Sequence, residues 1–447
     1  MYRLIRFRRI IVITLLISLT NYEQGAHEKG GPVTDKFVYA NVRLTNTFCC
    51  SEEFSDCDRI IESFIKKWNI TGASVAVAKD GKLVFAKGYG FADTSEMTYV
   101  QPFSKFRIAS ISKLITAVGI MQLVEEGKLS LNDQVFGPEA ILDDPFFDNP
   151  KDKRVYKITV GHLLSHKAGW SQRWGDQMFM PSVIAREMNV KQPVDLKTII
   201  RFALNKNLHF TPGTGRSYSN LGYSILGLVI EKVSGIPYEE YCRKKIFEPL
   251  GMYDMQMAGN LPSERAPFEV TYYEPSNVPL KPSIYGTGEM LPPAYGGNDI
   301  RTLGAAGGWL ATAPDLMRLL LAVDGFKNPP DILSEESIKL MTDTYNGIAP
   351  MGWKAVVVNG TWWRTGSFPG TAGMLKRQPD GIEWIVLLNC STWNGPEINT
   401  HVNSMMSKVA SRMDRDFNYD LLDFSLPVPL AINLNPGSIV KTECASP

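Results

Sequence analysis

Ser110 and Lys113 stand three positions apart, a spacing that suits acyl transfer. A serine nucleophile needs a neighbouring group that takes its proton, and a helix brings residues three positions apart to one face. Burial of the lysine would make it usable in proton transfer at neutral pH. The pair therefore predicts nucleophilic catalysis by Ser110, with Lys113 as a partner in proton transfer.

The same S-x-x-K spacing occurs three times, so the surroundings have to select one copy. Ser63 lies inside an amphipathic helical pattern, and Ser438 lies in a proline-containing tail. Ser110 instead opens the run from Leu114 to Val124, which is apolar nearly all round and predicts a buried central helix. A serine at the N-terminal end of such a helix can keep its hydroxyl at a cleft and offer its backbone N–H to an oxyanion. We therefore expect the other two copies to be accidental.

A second group of residues, Tyr218-Ser219-Asn220, follows a Thr-Pro-Gly turn and opens a helical pattern from Leu221 to Val233. The ordinary interpretation of Tyr218 is an aromatic residue at a helix entrance, and that of Asn220 is a helix N-cap. The position of this group after Ser110 in the chain favours a role in the same site.

A third group, Arg364-Thr365-Gly366-Ser367, lies at the end of a predicted strand between two hairpins. A cation, a hydroxyl group and a bare glycine backbone occur together there, and nearby glycines leave room for a ligand against the strand edge. The alternative is a plain turn after an edge strand.

These three groups, in this order, resemble the S-x-x-K, Y-x-N and K-T-G or H-x-G motifs of the serine β-lactamase and penicillin-binding protein superfamily. The resemblance is to the branch that contains class C β-lactamases, D-alanyl-D-alanine carboxypeptidases and related esterases. Further similar segments occur at residues 106–110, 158–169 and 306–312, and the resemblance covers about Asp58 to Met413.

The resemblance implies a role for each residue of the first two groups. Ser110 would be the acylated nucleophile, and Lys113 and Tyr218 would be its partners in proton transfer. Asn220 would form a hydrogen bond with the substrate amide. No cofactor or metal is implied, and the expected partner is a small-molecule or peptide substrate with an acyl group.

The third group would bind the substrate. Arg364 and Thr365 would hold a substrate carboxylate beside Gly366, and the backbone N–H groups of Ser110 and Ser367 would form the oxyanion hole. Arg364 departs from the family pattern, in which lysine or histidine is usual at this position. Arginine stays protonated, so it can bind an anion but cannot share a proton network, which argues against turnover of β-lactams.

The predicted elements form an α/β (α+β) fold, with an antiparallel sheet flanked by helices and an inserted, mostly helical subdomain. Hairpins are expected at Asp80-Gly81, Asn359-Gly360 and Pro379-Asp380-Gly381, because these residues favour tight turns. Helical patterns at Arg59 to Trp68 and His401 to Met413 would flank the sheet. The expected divisions are a signal peptide (1–22), a polar leader (23–57), a catalytic domain (58–413; α/β part 58–130 and 300–413, helical insertion 131–299) and a tail (414–447).

Composition limits the classes of function. The chain has 447 residues, of which 44% are hydrophobic and 21% are charged, so it can bury a large core. The 47 basic and 46 acidic residues leave a net charge of +1 without a long basic run, which argues against nucleic-acid binding. The histidines at positions 162 and 166 are four residues apart, but no third metal ligand is evident, so a structural role is expected.

The N-terminal residues predict export. Four arginines precede the apolar stretch of residues 10–19, and a positively charged segment followed by an apolar one is the pattern of a secretory signal. Ten apolar residues are too few to span a membrane comfortably. An uncleaved anchor and a mitochondrial presequence are the alternatives. Six cysteines and three N-x-S/T sequons agree with a secreted glycoprotein held by at least one disulfide. Bridges are expected at positions 49, 50, 57 and 444, whereas Cys242 and Cys390 are candidates for buried free thiols.

The main prediction is a secreted serine hydrolase that acts on an amide or ester through an acyl-enzyme. Two other functions compete with it. One is a binding or scaffold protein that retained the fold and lost turnover. The other is a Ser-His-Asp hydrolase of unrelated fold, but the chain contains no G-x-S-x-G motif. Oligomeric state and substrate stay open, because specificity is expected to lie in loops such as Phe268 to Asp299.

Overall fold

The computed structural model describes residues 39–41, 43–49, 52–344, 350–392, 395–413, 415–425 and 427–429. The expected signal segment, Cys50, Cys444 and most of the C-terminal tail lie outside the described residues. No helix in the described part of the chain is long and apolar enough to cross a membrane.

The described strands are numbered in chain order. They are β1 (Tyr39–Asn41), β2 (Gly72–Lys79), β3 (Lys82–Asp93), β4 (Thr98–Tyr99), β5 (Phe106–Arg107), β6 (Gln256–Met257), β7 (Lys281–Pro282), β8 (Met290–Leu291), β9 (Trp309–Ala311), β10 (Ala355–Val356), β11 (Trp362–Phe368), β12 (Thr371–Arg377), β13 (Ile382–Leu388) and β14 (Pro427–Pro429). Seven of them form one antiparallel sheet in the order β10-β11-β12-β13-β2-β3-β4. The sheet therefore joins strands from both ends of the chain.

Tight turns connect the neighbouring strands as expected. Asp80 and Gly81 link β2 to β3 with φ angles of 50° and 82°, values that glycine and aspartate tolerate. Gly360 and Gly381 have φ angles of 83° and 76° in the turns between β10 and β11 and between β12 and β13. The hairpins predicted at these three sites are confirmed, because β2 pairs with β3, β10 with β11 and β12 with β13.

Twelve helices surround or follow the strands in the described residues. They are α1 (Ser55–Trp68), α2 (Ser112–Glu125), α3 (Val160–Leu164), α4 (Pro181–Met188), α5 (Leu196–Leu204), α6 (Asn220–Ser234), α7 (Tyr238–Cys242), α8 (Glu248–Leu250), α9 (Ile300–Leu303), α10 (Ala313–Leu321), α11 (Glu335–Thr342) and α12 (Ile398–Ala410). The central strands β2 and β13 are buried along nearly their whole length. Helix α10 packs on both strands, α12 packs on β13 and β12, and α1 packs on α12. The expected fold class, helices on an antiparallel sheet, is confirmed.

Helices are the longer regular elements in the region between α2 and α9, which also contains the short strands β6, β7 and β8 and long loops. Its helix α6 packs against α2, and β6 joins β5 and β9 in a small three-stranded sheet. Helix α2 is buried on every side, with eleven of its fourteen residues inaccessible. The site residues on α2 and α6 are therefore held by two helices in direct contact.

Parts of the leader and of the tail pack against the core. Leu44, Cys49 and Phe54 are buried, so the leader contributes to the core from residue 43 onward, and α1 begins at Ser55. In the tail, Leu421 is buried, and the Asp420 carboxylate accepts a hydrogen bond of 3.0 Å from the backbone N–H of Leu83. Apolar side chains in both segments account for this packing, because their burial removes them from water.

No disulfide joins any two of the described cysteines. Cys57 lies on the first turn of α1 as a buried free thiol, so the expectation of a bridge at this position is wrong. Cys242 and Cys390 are also buried free thiols, as their patterns suggested. Burial raises the pKa values of the Cys57 and Cys390 thiols to about 11, which makes both poor nucleophiles at neutral pH.

Candidate active site

Ser110 lies in the middle of a short turn, Ala109–Ile111, that leads directly into α2. Ala109 has a φ of 46°, in the left-handed region that costs a non-glycine residue about 1 to 3 kcal/mol. Because α2 is buried among hydrophobic side chains, its N-terminal end is held in place, and the turn before it has to adopt this strained conformation. The turn places the half-buried Ser110 side chain at the wall of a cavity of about 310 Å³.

Two groups contact the Ser110 hydroxyl. The hydroxyl of Tyr218 lies 2.6 Å from Ser110 Oγ, and Lys113 Nζ donates to the same oxygen at 3.2 Å. Lys113 Nζ also donates to Asn220 Oδ1 at 2.7 Å and to the carbonyl oxygen of Ala306. The structure thus brings together the four residues expected from the first two motifs, although α2 and α6 are far apart in the chain.

The surroundings bring the pKa values of Lys113 and Tyr218 to the same range. Burial lowers the pKa of Lys113, Tyr218 opposes this shift and the positive charge of Arg364 adds to it, so that the net value is about 8. Burial raises the pKa of Tyr218, but the charges of Lys113 and Arg364 outweigh it and bring the value to about 8. Both groups can therefore exchange a proton near neutral pH.

Asn220 is the first residue of α6, and Ser219 is the helix N-cap, with its hydroxyl accepting a 3.0 Å hydrogen bond from the N–H of Gly222. The alternative interpretation of Asn220 as the cap is therefore wrong. Its side chain is free to connect two polar groups: Oδ1 accepts from Lys113, and Nδ2 donates to Asp176 Oδ2 at 2.6 Å.

The two histidines of the H-x-x-x-H spacing have structural contacts. His166 accepts a hydrogen bond from the N–H of Ser219 at 3.3 Å, and its ring packs on the ring of Tyr218 with centroids 4.7 Å apart. Burial holds the pKa of His166 well below its usual range, so the ring is neutral. His162 accepts a hydrogen bond from the N–H of Thr159 in the capping box of α3. His166 thus orients Tyr218.

Arg364 lies on β11 and is only 2% exposed. Its Nε donates to the carbonyl oxygen of Ser110 at 2.7 Å, and Nη2 donates to the hydroxyl of Tyr218 at 3.2 Å. Arg364 does not line the cavity. These contacts differ from the expected carboxylate contact, because they turn the guanidinium toward the nucleophile's own backbone and its neighbouring tyrosine.

Gly366 allows β11 to approach the Ser110 turn. A Cβ atom at this position would lie 2.1 Å from the carbonyl oxygen of Ile108 and 3.2 Å from the Ser110 nitrogen. Ser367 is exposed and lines the cavity, whereas Thr365 is half-buried and does not line it. The strand edge therefore meets the nucleophile at a glycine, as the motif predicts.

A family model described as Beta-lactamase matches residues 57–403. The chain belongs to the β-lactamase family. The protein flp of Staphylococcus aureus is 33% identical over 211 residues, which are 47% of this chain and 38% of that protein. The chain therefore matches well under half the length of this curated relative.

Solved structures share the β-lactamase-family fold. A penicillin-binding protein homologue from Pyrococcus abyssi, described as octameric, has a TM-score of 0.60 and 27% identity, over 80% of this chain and 77% of that chain. The D-amino acid amidase from Ochrobactrum anthropi has a TM-score of 0.62 and 21% identity, over 81% of this chain and all of that chain. At this identity the amidase supports the fold alone. The family model and these likenesses agree on a β-lactamase-family fold.

Several cavity residues of this β-lactamase-family protein were not predicted from the sequence. Gln172, Asp176, Phe179, Leu303 and Phe368 line the cavity beside Ser110. Phe368 follows the third motif directly and could have been included on that ground. The others come from loops and a short helix without a recognisable pattern, so only the folded chain brings them to the site.

Proposed function

We propose that the protein hydrolyses an amide or ester through an acyl-enzyme formed on Ser110. The observation that carries this proposal is the contact of Ser110 Oγ with both the Tyr218 hydroxyl and Lys113 Nζ at the wall of a cavity. Such a nucleophile, within hydrogen-bond reach of groups that titrate near neutral pH, meets the requirements of covalent catalysis. The family's fold and its relatives with hydrolase names agree with it.

In the proposed acylation step, Tyr218 in its phenolate form accepts the proton of Ser110 while Oγ bonds to the substrate carbonyl carbon. The carbonyl π electrons move to oxygen, which the N–H groups of Ser110 and Ser367 would stabilise. The carbon–nitrogen or carbon–oxygen bond then breaks, and the leaving group takes the proton from Tyr218. Water repeats the sequence with the ester of Ser110, so the enzyme returns to its initial state.

Lys113 and Arg364 assist this step without bonding to the substrate. The positive charge of Lys113, fixed by Asn220 and Ala306, favours the phenolate of Tyr218. Arg364 adds a second positive charge at 3.2 Å from the same oxygen and holds the carbonyl of Ser110. We therefore propose that Arg364 is a positioning residue, in place of the substrate-carboxylate role that its motif suggested.

Labelling with a fluorophosphonate probe tests the proposal. The probe should add mass to the peptide that contains Ser110, and Ser110→Ala should abolish the adduct. Tyr218→Phe and Lys113→Ala should slow labelling by about 10-fold or more, because each removes assistance to the proton and leaves the nucleophile in place.

Ser63→Ala is the matched control, since this exposed residue of α1 shares the S-x-x-K spacing and lies outside the cavity. It should not alter the labelling rate. A folded protein that no acylating probe labels would contradict the proposal and favour a scaffold that retained the fold without turnover.

A further inference from the structure

The cavity beside Ser110 contains one formally charged side chain, that of Asp176. The described residues that line the cavity are Ala109, Ser110, Gln172, Asp176, Phe179, Tyr218, Asn220, Leu303, Ser367 and Phe368. The positive charges of Lys113 and Arg364 lie behind this wall, since both side chains are almost fully buried and contact protein atoms. The lining therefore offers a substrate one negative charge and no positive charge.

The Asp176 carboxylate is fixed in place by neutral donors. Oδ2 accepts hydrogen bonds from Gln172 Nε2 at 2.5 Å and Asn220 Nδ2 at 2.6 Å, and Oδ1 accepts from the N–H of Met178 at 3.0 Å. Within the described residues it forms no ion pair with a lysine or arginine at 4.0 Å or less. The carboxylate is half-buried, so its charge is partly shielded from water and is not neutralised by a direct protein partner.

Asp176 is also connected to the reacting serine. Asn220 bridges Asp176 to Lys113, which contacts Ser110 Oγ at 3.2 Å. A substrate whose carbonyl carbon lies against Ser110 therefore occupies the same cavity of about 310 Å³ that Asp176 lines. Apolar surface adjoins it, because the rings of Phe179 and Phe368 lie with centroids 6.2 Å apart.

We propose that Asp176 binds an ammonium group on the acyl part of the substrate, and that the substrates are amino-acid amides or esters and peptides with a free amino terminus. This inference rests on the proposed acyl-enzyme at Ser110. The ammonium would donate a charge-assisted hydrogen bond to the carboxylate, and the amino-acid side chain would contact Phe179 and Phe368. A substrate carboxylate at the same place would meet the negative charge of Asp176 without a cation to oppose it, so such substrates are excluded.

Three matched anilides of phenylalanine test this assignment, with the amino group free, acetylated or succinylated, each as both enantiomers. The wild-type kcat/KM should be about 10-fold to 100-fold higher for the free amine than for the acetylated anilide, as expected for a hydrogen bond to a charged group. The succinylated anilide should be the poorest. Asp176→Asn should lower the ratio of kcat/KM between the free-amine and acetylated anilides to about 1, because only the free amine carries the charge that the carboxylate binds. Asp176→Glu, which keeps the charge, should retain a preference.

Glu187→Gln is the control for loss of a negative charge, because Glu187 is paired with Lys206 on the surface, away from the cavity. It should leave all three rates unchanged. Affinities of phenylalanine-like boronic acids with a free or acetylated amine, measured by calorimetry, give a second readout that does not need turnover. They should show the same preference and the same loss in Asp176→Asn.

The outcomes separate the two proposals. If Ser110 is labelled and the acetylated compounds react or bind as well as the free amines, the ammonium site is wrong and the acyl-enzyme stands. A preference that persists in Asp176→Asn would also overturn the role of this residue. If Ser110 is not labelled and no boronic acid binds, the acyl-enzyme proposal fails and this inference fails with it.

Discussion

The guanidinium of Arg364 donates to the hydroxyl of Tyr218 at 3.2 Å from an almost fully buried position on β11. The same hydroxyl lies 2.6 Å from Ser110 Oγ. A permanent cation therefore acts on the group best placed to take the serine proton, and it cannot itself exchange that proton at neutral pH. This arrangement joins the third sequence motif to the chemistry of the first two.

Removal of the Arg364 charge should shift the pH dependence of the reaction. Arg364 lowers the pKa of Tyr218, which burial alone would raise, so Arg364→Ala should raise this pKa above its present value of about 8. Because the phenolate is the proposed base, kcat/KM for a neutral ester at pH 7 should fall about 10-fold or more and recover in part as the pH rises. A pH–rate profile from pH 6 to 10 measures this shift.

Arg364→Lys is the matched variant, since it keeps the charge and loses the two-point contact with Ser110 and Tyr218. Its profile should lie between those of the wild type and Arg364→Ala. A profile of Arg364→Ala that keeps the wild-type midpoint while KM rises only for anionic substrates would restore the carboxylate-binding role.

Gly366→Ala should separate β11 from the nucleophile. The added Cβ would meet the carbonyl oxygen of Ile108 at 2.1 Å, so one of the two backbones has to move. We expect a loss of about 1 to 3 kcal/mol in the free energy of unfolding and a fall of more than about 10-fold in the labelling rate of Ser110. Urea unfolding and probe kinetics measure the two effects.

Gly222→Ala is the control for this substitution. A Cβ at Gly222 would make only ordinary contacts, at 3.5 Å or more, within helix α6. Because alanine has a higher helix propensity than glycine, the free energy of unfolding should rise slightly or stay unchanged. Equal labelling rates in Gly366→Ala and the wild type would show that the strand edge tolerates displacement.

A buried pair of carboxyl groups should make the protein less stable at high pH. Glu383 on β13 and Asp324 after α10 are both inaccessible, and burial raises the pKa of Asp324 to about 7 and that of Glu383 well above its usual range. The folded protein keeps protons that the unfolded chain releases between about pH 4 and 7, so stability falls as the pH rises through this window.

Glu383→Gln replaces one of these two carboxyl groups with a neutral amide that does not titrate. The Tm of the variant should exceed that of the wild type by about 2 °C or more at pH 8, and the difference should shrink at pH 5. Differential scanning calorimetry at both pH values measures it. A variant that is less stable than the wild type at pH 8 would show that the attraction of Glu383 to the nearby Arg377 outweighs the cost of burying its charge.

Local patterns determined many of the elements and the candidate pair of Ser110 and Lys113. The turn residues Asp80 and Gly81 specify a hairpin because few residues tolerate their backbone angles. Ser110 and Lys113 are three positions apart, so the short turn that leads into α2 is enough to bring them into contact. The order of the three motifs was enough for the resemblance to the β-lactamase family. Each of these features depends on neighbouring residues or on chain order alone.

Tertiary structure decided how the parts meet. Whether Ser219 or Asn220 caps α6 changes which side chain reaches Lys113, and both residues are good caps in isolation. The burial of Arg364 follows from the approach of β11 to the Ser110 turn at Gly366, a contact between segments more than 250 positions apart. Asp176 reaches the cavity through a loop without a pattern. Such long-range contacts depend on the packing of complete elements, and no local pattern encodes them.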